Sequence, residues 1–214
     1  SFARNRCLKE ASGSWIAFLD DDEQASEIWL STLWNAAHVH NADATFGPVL
    51  PVYEGVAPVW LISACAHERP RFRTGTKISW GDARSGNVLM TRSVVEMVGC
   101  FDKRFAKTGG EDSFFFACAL KDGAKLVWCD EAVVNETVPQ SRMTQLWVIK
   151  RAFYGGRTYA RLNAAIDGYF AYFKLFTHGF GILLILSLPV FVMWLLQCDK
   201  WLKYVRKLAG AAGK

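Results

Sequence analysis

The chain has 214 residues, 51% of them hydrophobic and 21% charged, which excludes a disordered polypeptide and supplies enough apolar mass for a packed core. Its 17 Gly and 6 Pro follow no period, so collagen-like and low-complexity classes are excluded too. The formal charge of +5 hides an asymmetry: the first 138 residues hold 14 basic and 18 acidic side chains, and the remainder hold 11 and 2. A basic C-terminal part of this kind suits phosphates or an anionic surface.

Residues 3–11 read as a helix closed by Ser12-Gly13. Trp15–Leu19 is a continuous apolar run, the pattern of a strand covered on both faces, and Asp20-Asp21-Asp22-Glu23 follows it directly. An amphipathic helix is expected near Ser26–His40, then a strand over Thr45–Leu50. Residues 66–86 are polar, basic and irregular, as in a mobile loop. Asn87–Thr91 reads as a strand, Ser93–Val98 as a short helix stopped by Gly99, and Asp112–Asp122 as a helix between Gly110 and Gly123. Lys125–Cys129 and Val133–Glu136 are further strands, and this alternation indicates an α/β layered domain. A long helix starts near Arg142 with Met143, Leu146, Trp147 and Tyr154 on one stripe. Aromatic density then rises, and Gly179–Gln197 carries no charge, with Pro189 in its middle.

The six cysteines, Cys7, Cys65, Cys100, Cys118, Cys129 and Cys198, form no C-x-x-C pair and read as buried, reduced thiols of a cytosolic compartment. No signal or transit peptide opens the chain, and its start at Ser1 reads as a cut. His38 and His40 are two apart and share no helix face, so they read as ordinary surface or core residues. His67, just before Arg69, Arg71 and Arg73, belongs to a basic loop that either closes over a phosphate or acceptor or is simply solvated.

Two acidic motifs carry the chemistry. Three carboxylates at the end of a buried strand repel one another unless a cation or donors offset them, and oxygen ligands suit Mg²⁺ or Mn²⁺. A solvated turn stabilising the next helix explains the same residues. Gly109-Gly110-Glu111-Asp112 stands before Phe114-Phe115-Phe116, so its carboxylates project from a helix N-terminus, as a base or a plain cap.

These pieces resemble a family-2 glycosyltransferase with the GT-A fold, of the kind that builds bacterial surface or exported polysaccharides. The residues carrying the resemblance are Ala3-Arg4-Asn5, Ala11-Ser12-Gly13-Ser14 through Asp20-Asp21-Asp22-Glu23, and Gly86-Asn87-Val88-Leu89. Gly109-Gly110-Glu111-Asp112-Ser113 and Val138-Pro139-Gln140-Ser141-Arg142 continue the same order. The resemblance implies a Rossmann-like mixed sheet flanked by helices, with a catalytic domain over 1–166 and a membrane-associated helical tail over 167–214. It also implies that the family's N-terminal donor-binding segment is missing and, because Q-x-x-R-W is absent, that one sugar is transferred.

The resemblance further implies roles. Asp20 and Asp22 fit the D-x-D, with Asp22 the direct ligand of Mg²⁺ or Mn²⁺ and Asp20 nearer the donor ribose. Asp112 fits the general base, Glu111 its acidic neighbour, Asn87 the acceptor side, and Arg142 the departing diphosphate. Trp80 is a candidate sugar-stacking platform. The implied partners are a nucleotide-diphosphate sugar, a glycan or lipid-linked acceptor and a membrane surface at the cytoplasmic face of the bacterial inner membrane. Nucleic acid is not expected, and an oligomer is compatible with the tail. A single span would place the basic residues after Gln197 on the far side, against the positive-inside tendency, whereas a re-entrant or in-plane helix keeps both basic flanks on one side. A buried helix covering the sheet or a dimer partner is the soluble alternative. Two other classes stay open: a metal-dependent phosphohydrolase using Asp20, Asp22 and Asp112, and a catalytically silent membrane-associated binding module.

Overall fold

The computed structural model describes residues 1–195 and 201–214, so Gln197, Cys198 and Lys200 lie outside the described residues. They form two compact units, Ser1–Val52 with Arg69–Thr137, and Tyr53–Glu68 with Val138–Lys214.

In the first unit, helix α1 (Phe2–Glu10) precedes strands β1 (Trp15–Leu19) and β2 (Glu23–Ala25), then α2 (Trp29–Val39), β3 (Ala44–Phe46) and β4 (Val49–Tyr53). After α3 (Val59–Ser63) of the second unit come β5 (Asn87–Thr91), α4 (Arg92–Val98), α5 (Glu111–Lys121), β6 (Leu126–Trp128) and β7 (Val134–Val138). One sheet has the order β1-β5-β3-β6, with β5 antiparallel to β1 and β3 and β3 parallel to β6. A second has the order β2-β7-β4. This is the mixed sheet flanked by helices expected from the resemblance.

The central strand β5 shows why the chain layers as it does. Val88 and Met90 point into one core with Ile16, Phe18, Phe46, Phe101, Phe115 and Phe116, while Leu89 faces Leu33, Ala36 and Ala132 on the other side. Each buried Phe contributes about 1.5–3 kcal/mol relative to exposure. Strand β1 departs from expectation. It is the edge of its sheet, with Ile16 and Phe18 buried but Ala17 exposed and Leu19 38% exposed, so one face is fully covered and the other only at Trp15, which packs on α2.

Three other expectations are corrected. The expected Thr45–Leu50 strand divides at Gly47-Pro48, because Pro48 has no N–H to donate to a ladder, and its two halves join different sheets. Residues Glu23–Ala25, expected as turn, pair with Val134–Glu136 as a short edge strand, which delays α2 to Trp29. Residues 66–86 are irregular, but the Arg71 guanidinium donates to both Asp130 carboxylate oxygens at 2.9 Å, and Ile78 N–H donates to Leu126 C=O at 3.1 Å. Burial of the cysteines is corrected too: Cys7 and Cys100 are exposed, Cys65 and Cys118 half-buried, and of the described ones only Cys129 is buried.

The second unit holds α6 (Gln145–Asp167), α7 (Tyr169–Leu195) and α8 (Trp201–Ala212), with α8 packed on both its predecessors. The stripe expected on α6 is only half its inner face: Met143 is buried and Trp147 packs beside it. Leu146 and Tyr154 are 61% and 58% exposed, while Val148, Gly156, Ala160 and Leu162 are buried. Glycine and alanine face inward because they let helices approach closely; a Cβ on Gly156 would collide with the Gly210 carbonyl. Helix α7 is, by length and composition, able to cross a membrane, and its most apolar stretch is only 11% buried.

Asn5 anchors α1 by two bonds: its Nδ2 donates to Phe101 C=O at 2.9 Å and its Oδ1 accepts Phe101 N–H at 2.8 Å. Asn5→Ala strands both backbone groups and is expected to cost about 1–3 kcal/mol of unfolding free energy. Denaturant unfolding of the two chains checks this, and a change within error overturns the anchoring role.

Candidate active site

The two acidic motifs meet on α1. The Arg4 guanidinium donates through Nη2 to Asp20 Oδ1 at 2.7 Å and through Nη1 to Glu111 Oε1 at 2.8 Å, spanning 107 residues of sequence on the longer arm. Burial by itself would lower the Arg4 pKa, but the charge and hydrogen bond of Asp20, then the charges of Asp112 and Glu111, hold it above its ordinary value. Glu111 is the deeper partner, with its side chain 12% exposed against 39% for Asp20.

Local sequence aims both motifs. Gly109 and Gly110 have φ of 75° and 95°, a region where side chains are strained, and this turn starts α5 with Glu111 and Asp112 in its first turn. The Asp112 Oδ1 accepts the Ser113 N–H at 2.7 Å. At the other motif the turn after β1 leaves Asp21 and Asp22 exposed, while Glu23 folds back so that its carboxylate accepts the Asp20 N–H at 3.4 Å. A Cβ on Gly86 would sit 2.6 Å from Glu23 Oε1 and 3.0 Å from Asp20 Oδ2, so any larger residue would displace these carboxylates from their present positions. Burial, then the Asp20 charge, push the Glu23 carboxyl up to about 7, against the pull of the Asp20 N–H and Arg69.

Among the described residues no three His, Cys, Asp or Glu side chains converge as metal ligands. A Mg²⁺ or Mn²⁺ ion shared with a diphosphate needs only one or two protein carboxylates, and Asp20 and Asp22, which follow β1, have the oxygen-donor chemistry such an ion takes.

Beside this cluster lies a small hollow of about 70 Å³ at the end of β3, lined by Phe46, Pro48, Asn87, Trp128 and the arginines Arg69, Arg71 and Arg84. Asn87, 2% exposed, is a hub there: its Nδ2 donates to Pro48 C=O at 3.1 Å and Ala132 C=O at 2.8 Å, and its Oδ1 accepts Trp29 Nε1–H at 2.8 Å. Arg84 Nη1 donates to Ser113 Oγ at 2.9 Å, tying the hollow to the first turn of α5. Trp80 is half-buried, and its neighbours Gly81 and Asp82 line the hollow.

Arg142 lies in the second unit, closing the short 3₁₀ turn Gln140–Arg142. Its charge acts on His67, whose ring packs against Trp147 and Tyr53 at centroid distances of 5.2 and 5.7 Å. Burial, then Arg206, Arg142 and Arg151, lower the His67 pKa. His38 packs against Trp34 and Trp15 on the face of α2.

The structure thus brings Asp20, Glu111 and Asp112 around one arginine and sets Asn87 at the adjoining hollow. Arg4, Glu23 and Arg84 had no assigned role in the sequence reading. Arg4 stood inside a quoted motif, but no local pattern marks its two partners.

The mixed sheet flanked by helices belongs to a chain similar to known glycosyltransferases. Residues 1–99 match the family described as Glycosyl transferase family 2. The succinoglycan biosynthesis protein ExoM of Rhizobium meliloti (strain 1021) is 38% identical over 170 residues, 77% of this chain and 53% of that protein, so the chain spans about half the relative's length. Two solved structures are also similar. S. aureus TarS is 14% identical at a TM-score of 0.48, over 76% of this chain and 30% of that one. S. aureus TarS 1–349 in complex with UDP is 16% identical at 0.48, over 77% and 45%.

Glu23 makes stability depend on pH. A carboxyl whose pKa is raised by folding contributes fully below the ordinary glutamate range, and the contribution is lost as pH rises through about 7. Glu23→Gln stays neutral, so at pH ~8 in EDTA it is expected to be more stable than the parent by about 1–2 kcal/mol, reduced from the full shift by partial exposure. At pH ~4 the two should match, because both side chains are then uncharged. Urea unfolding at both pH values checks this, and an equal difference at both overturns it. Arg4→Met should lower stability by about 1–3 kcal/mol, since it leaves the Asp20 and Glu111 charges partly buried without their partner. Thermal melts test this, and an unchanged Tm counts against the bridge.

Proposed function

We propose that this chain transfers a sugar from a nucleotide-diphosphate sugar to an acceptor hydroxyl, with inversion at the anomeric carbon. The observation that carries the reading is the Arg4 bridge, which gathers the D-x-D carboxylate Asp20 and the Glu111-Asp112 pair into one acidic cluster. The match of residues 1–99 to Glycosyl transferase family 2 supports the reaction class, and a relative named for succinoglycan biosynthesis supports a growing glycan as acceptor, which we propose is lipid-linked.

Asp112, at the N-terminus of α5, takes the proton from the acceptor hydroxyl as its oxygen bonds to the anomeric carbon. The bond from that carbon to the diphosphate oxygen breaks, and the nucleoside diphosphate departs with the electron pair. A divalent ion held by Asp22 and Asp20 would supply Lewis-acid stabilisation of charge on the diphosphate. Glu111, held by Arg4, fixes the first turn of α5 and so the aim of Asp112. Asn87 shapes the acceptor side, with Trp80 beside the hollow as a surface for a sugar ring. The exposed apolar face of α7 and its basic neighbours support membrane association, and the proposed location is the cytoplasmic face of the bacterial inner membrane.

Radiolabelled transfer from a panel of nucleotide sugars in Mn²⁺ tests the reading, and phosphate release without sugar transfer counts against it. Asp112→Asn should reduce turnover by about 10²-fold or more while nucleotide-sugar binding is kept; equal loss of both removes Asp112 from the role of base. Asp22→Ala should weaken Mn²⁺-dependent donor binding by calorimetry, and binding that persists unchanged excludes it as a ligand.

A further inference from the structure

Helix α8 is an amphipathic strip on the apolar bundle. Its inner side buries Leu202 and Ala211, and from Trp201 to Lys214 it carries Lys203, Arg206, Lys207 and Lys214 with no acidic residue. It runs beside the apolar run of α7, since a Cβ on Gly179 would lie 2.9 Å from the Ala211 carbonyl oxygen. A hollow of about 590 Å³ opens there, lined by Arg206, Lys207 and Lys214 on one side and by Ile182 and Leu186 of α7 on another. A second hollow, shared with Lys203, Arg206 and Lys207, adjoins it.

The cations are short of anions. Arg206 Nη1 donates to the Ala64 and Cys65 carbonyls at 2.6 and 2.8 Å, and Lys207 and Lys214 lie over the Tyr204 and Tyr159 rings at 5.8 and 5.5 Å. Among the described residues no carboxylate lies within ion-pair distance of these four side chains. Ile182 and Leu186 turn toward the crevice, whereas Leu184, Ile185 and Leu188 are 64%, 72% and 69% exposed on the outer face of α7. The crevice therefore joins a positive wall to an apolar one beside a helix face that water does not favour. A helix spanning the bilayer would carry this positive wall into hydrocarbon, at several kcal/mol per charge. Lying in the interface, the same helix keeps its outer face in acyl chains and the cations at headgroup depth.

We infer that the crevice between α7 and α8 binds the phosphate of an anionic phospholipid headgroup, with Lys207 and Lys214 as its principal contacts and Ile182 and Leu186 against the first methylenes. This rests on the membrane-associated reading above and goes further, by giving the membrane a specific phosphate site. The shared chemistry is a phosphate monoanion, and the bilayer phospholipid is its source.

The 214-residue chain is tested by co-flotation with vesicles of phosphatidylcholine alone and of phosphatidylcholine with phosphatidylglycerol. The expected result is binding to both, with a marked preference for the anionic vesicles. Lys207→Gln/Lys214→Gln should cut that preference by roughly tenfold. Lys150→Gln/Arg161→Gln, which removes the same charge from α6 outside the crevice, should leave most of it. Circular dichroism confirms that both variants keep their helices. Equal binding to the two vesicles leaves the membrane reading standing and overturns the inference, as does equal loss in both variants. Binding to neither vesicle overturns both. Displacement by inorganic phosphate beyond a chloride control of the same ionic strength assigns the crevice to free phosphate and overturns the lipid assignment.

Discussion

The candidate site depends on one guanidinium holding two carboxylates that the chain delivers from opposite directions. Asp20 arrives at the end of an edge strand and Glu111 at the start of a helix, and without Arg4 their charges would work against the approach of β1 to α5. Arginine suits this position because its rigid fork presents two N–H donors at fixed separation, which a lysine cannot reproduce. The arrangement rests in turn on Asn5, one residue further on, whose side chain mimics a strand partner for the Phe101 backbone and seats α1 against the core. A single turn of α1 thus carries both the charge compensation and the mechanical anchor.

A second polar device fixes the neighbouring hollow. Asn87 spends its side-chain amide on two carbonyls and an indole N–H, all from segments that the split between β3 and β4 would otherwise leave loosely held. A buried polar group satisfied this fully rigidifies its surroundings, since any shift strands a donor or acceptor. Its neighbour Gly86 has the complementary role of leaving space, so that Asp20 and Glu23 crowd closely enough for Glu23 to hold its proton near neutral pH. The Gly86-Asn87 pair therefore shapes the site by one absent side chain and one fully engaged.

The second unit is held by different physics. Its helices meet through glycine and alanine rather than large side chains, so dispersion at short range replaces the aromatic interlocking of the sheet core. Its charges are mainly basic, eleven Lys and Arg against four Asp and Glu, and an apolar face of α7 points outward. Both features leave it with favourable free energy to gain from an anionic, partly apolar surface.

Much of this was legible from residues alone. The order of elements followed from period and punctuation: Asn87–Thr91 as a strand, the helix after Gly109-Gly110 and the long apolar helix all appear where the sequence put them, because each is set by contacts within a few residues. The two acidic motifs were visible for the same reason. The partners of those residues were not. Nothing near Arg4 announces Asp20 or Glu111, and nothing near Asn87 announces Ala132. The inner face of α6 was half misread because its tightest contacts are made by glycine and alanine, which carry no hydrophobic signal. Local sequence determined where carboxylates, turns and helices would occur, since those are short-range consequences of backbone sterics and side-chain type. Only the tertiary structure decided which charges would share a cation and which face of each helix would be inside, because both depend on segments brought together by packing from far along the chain.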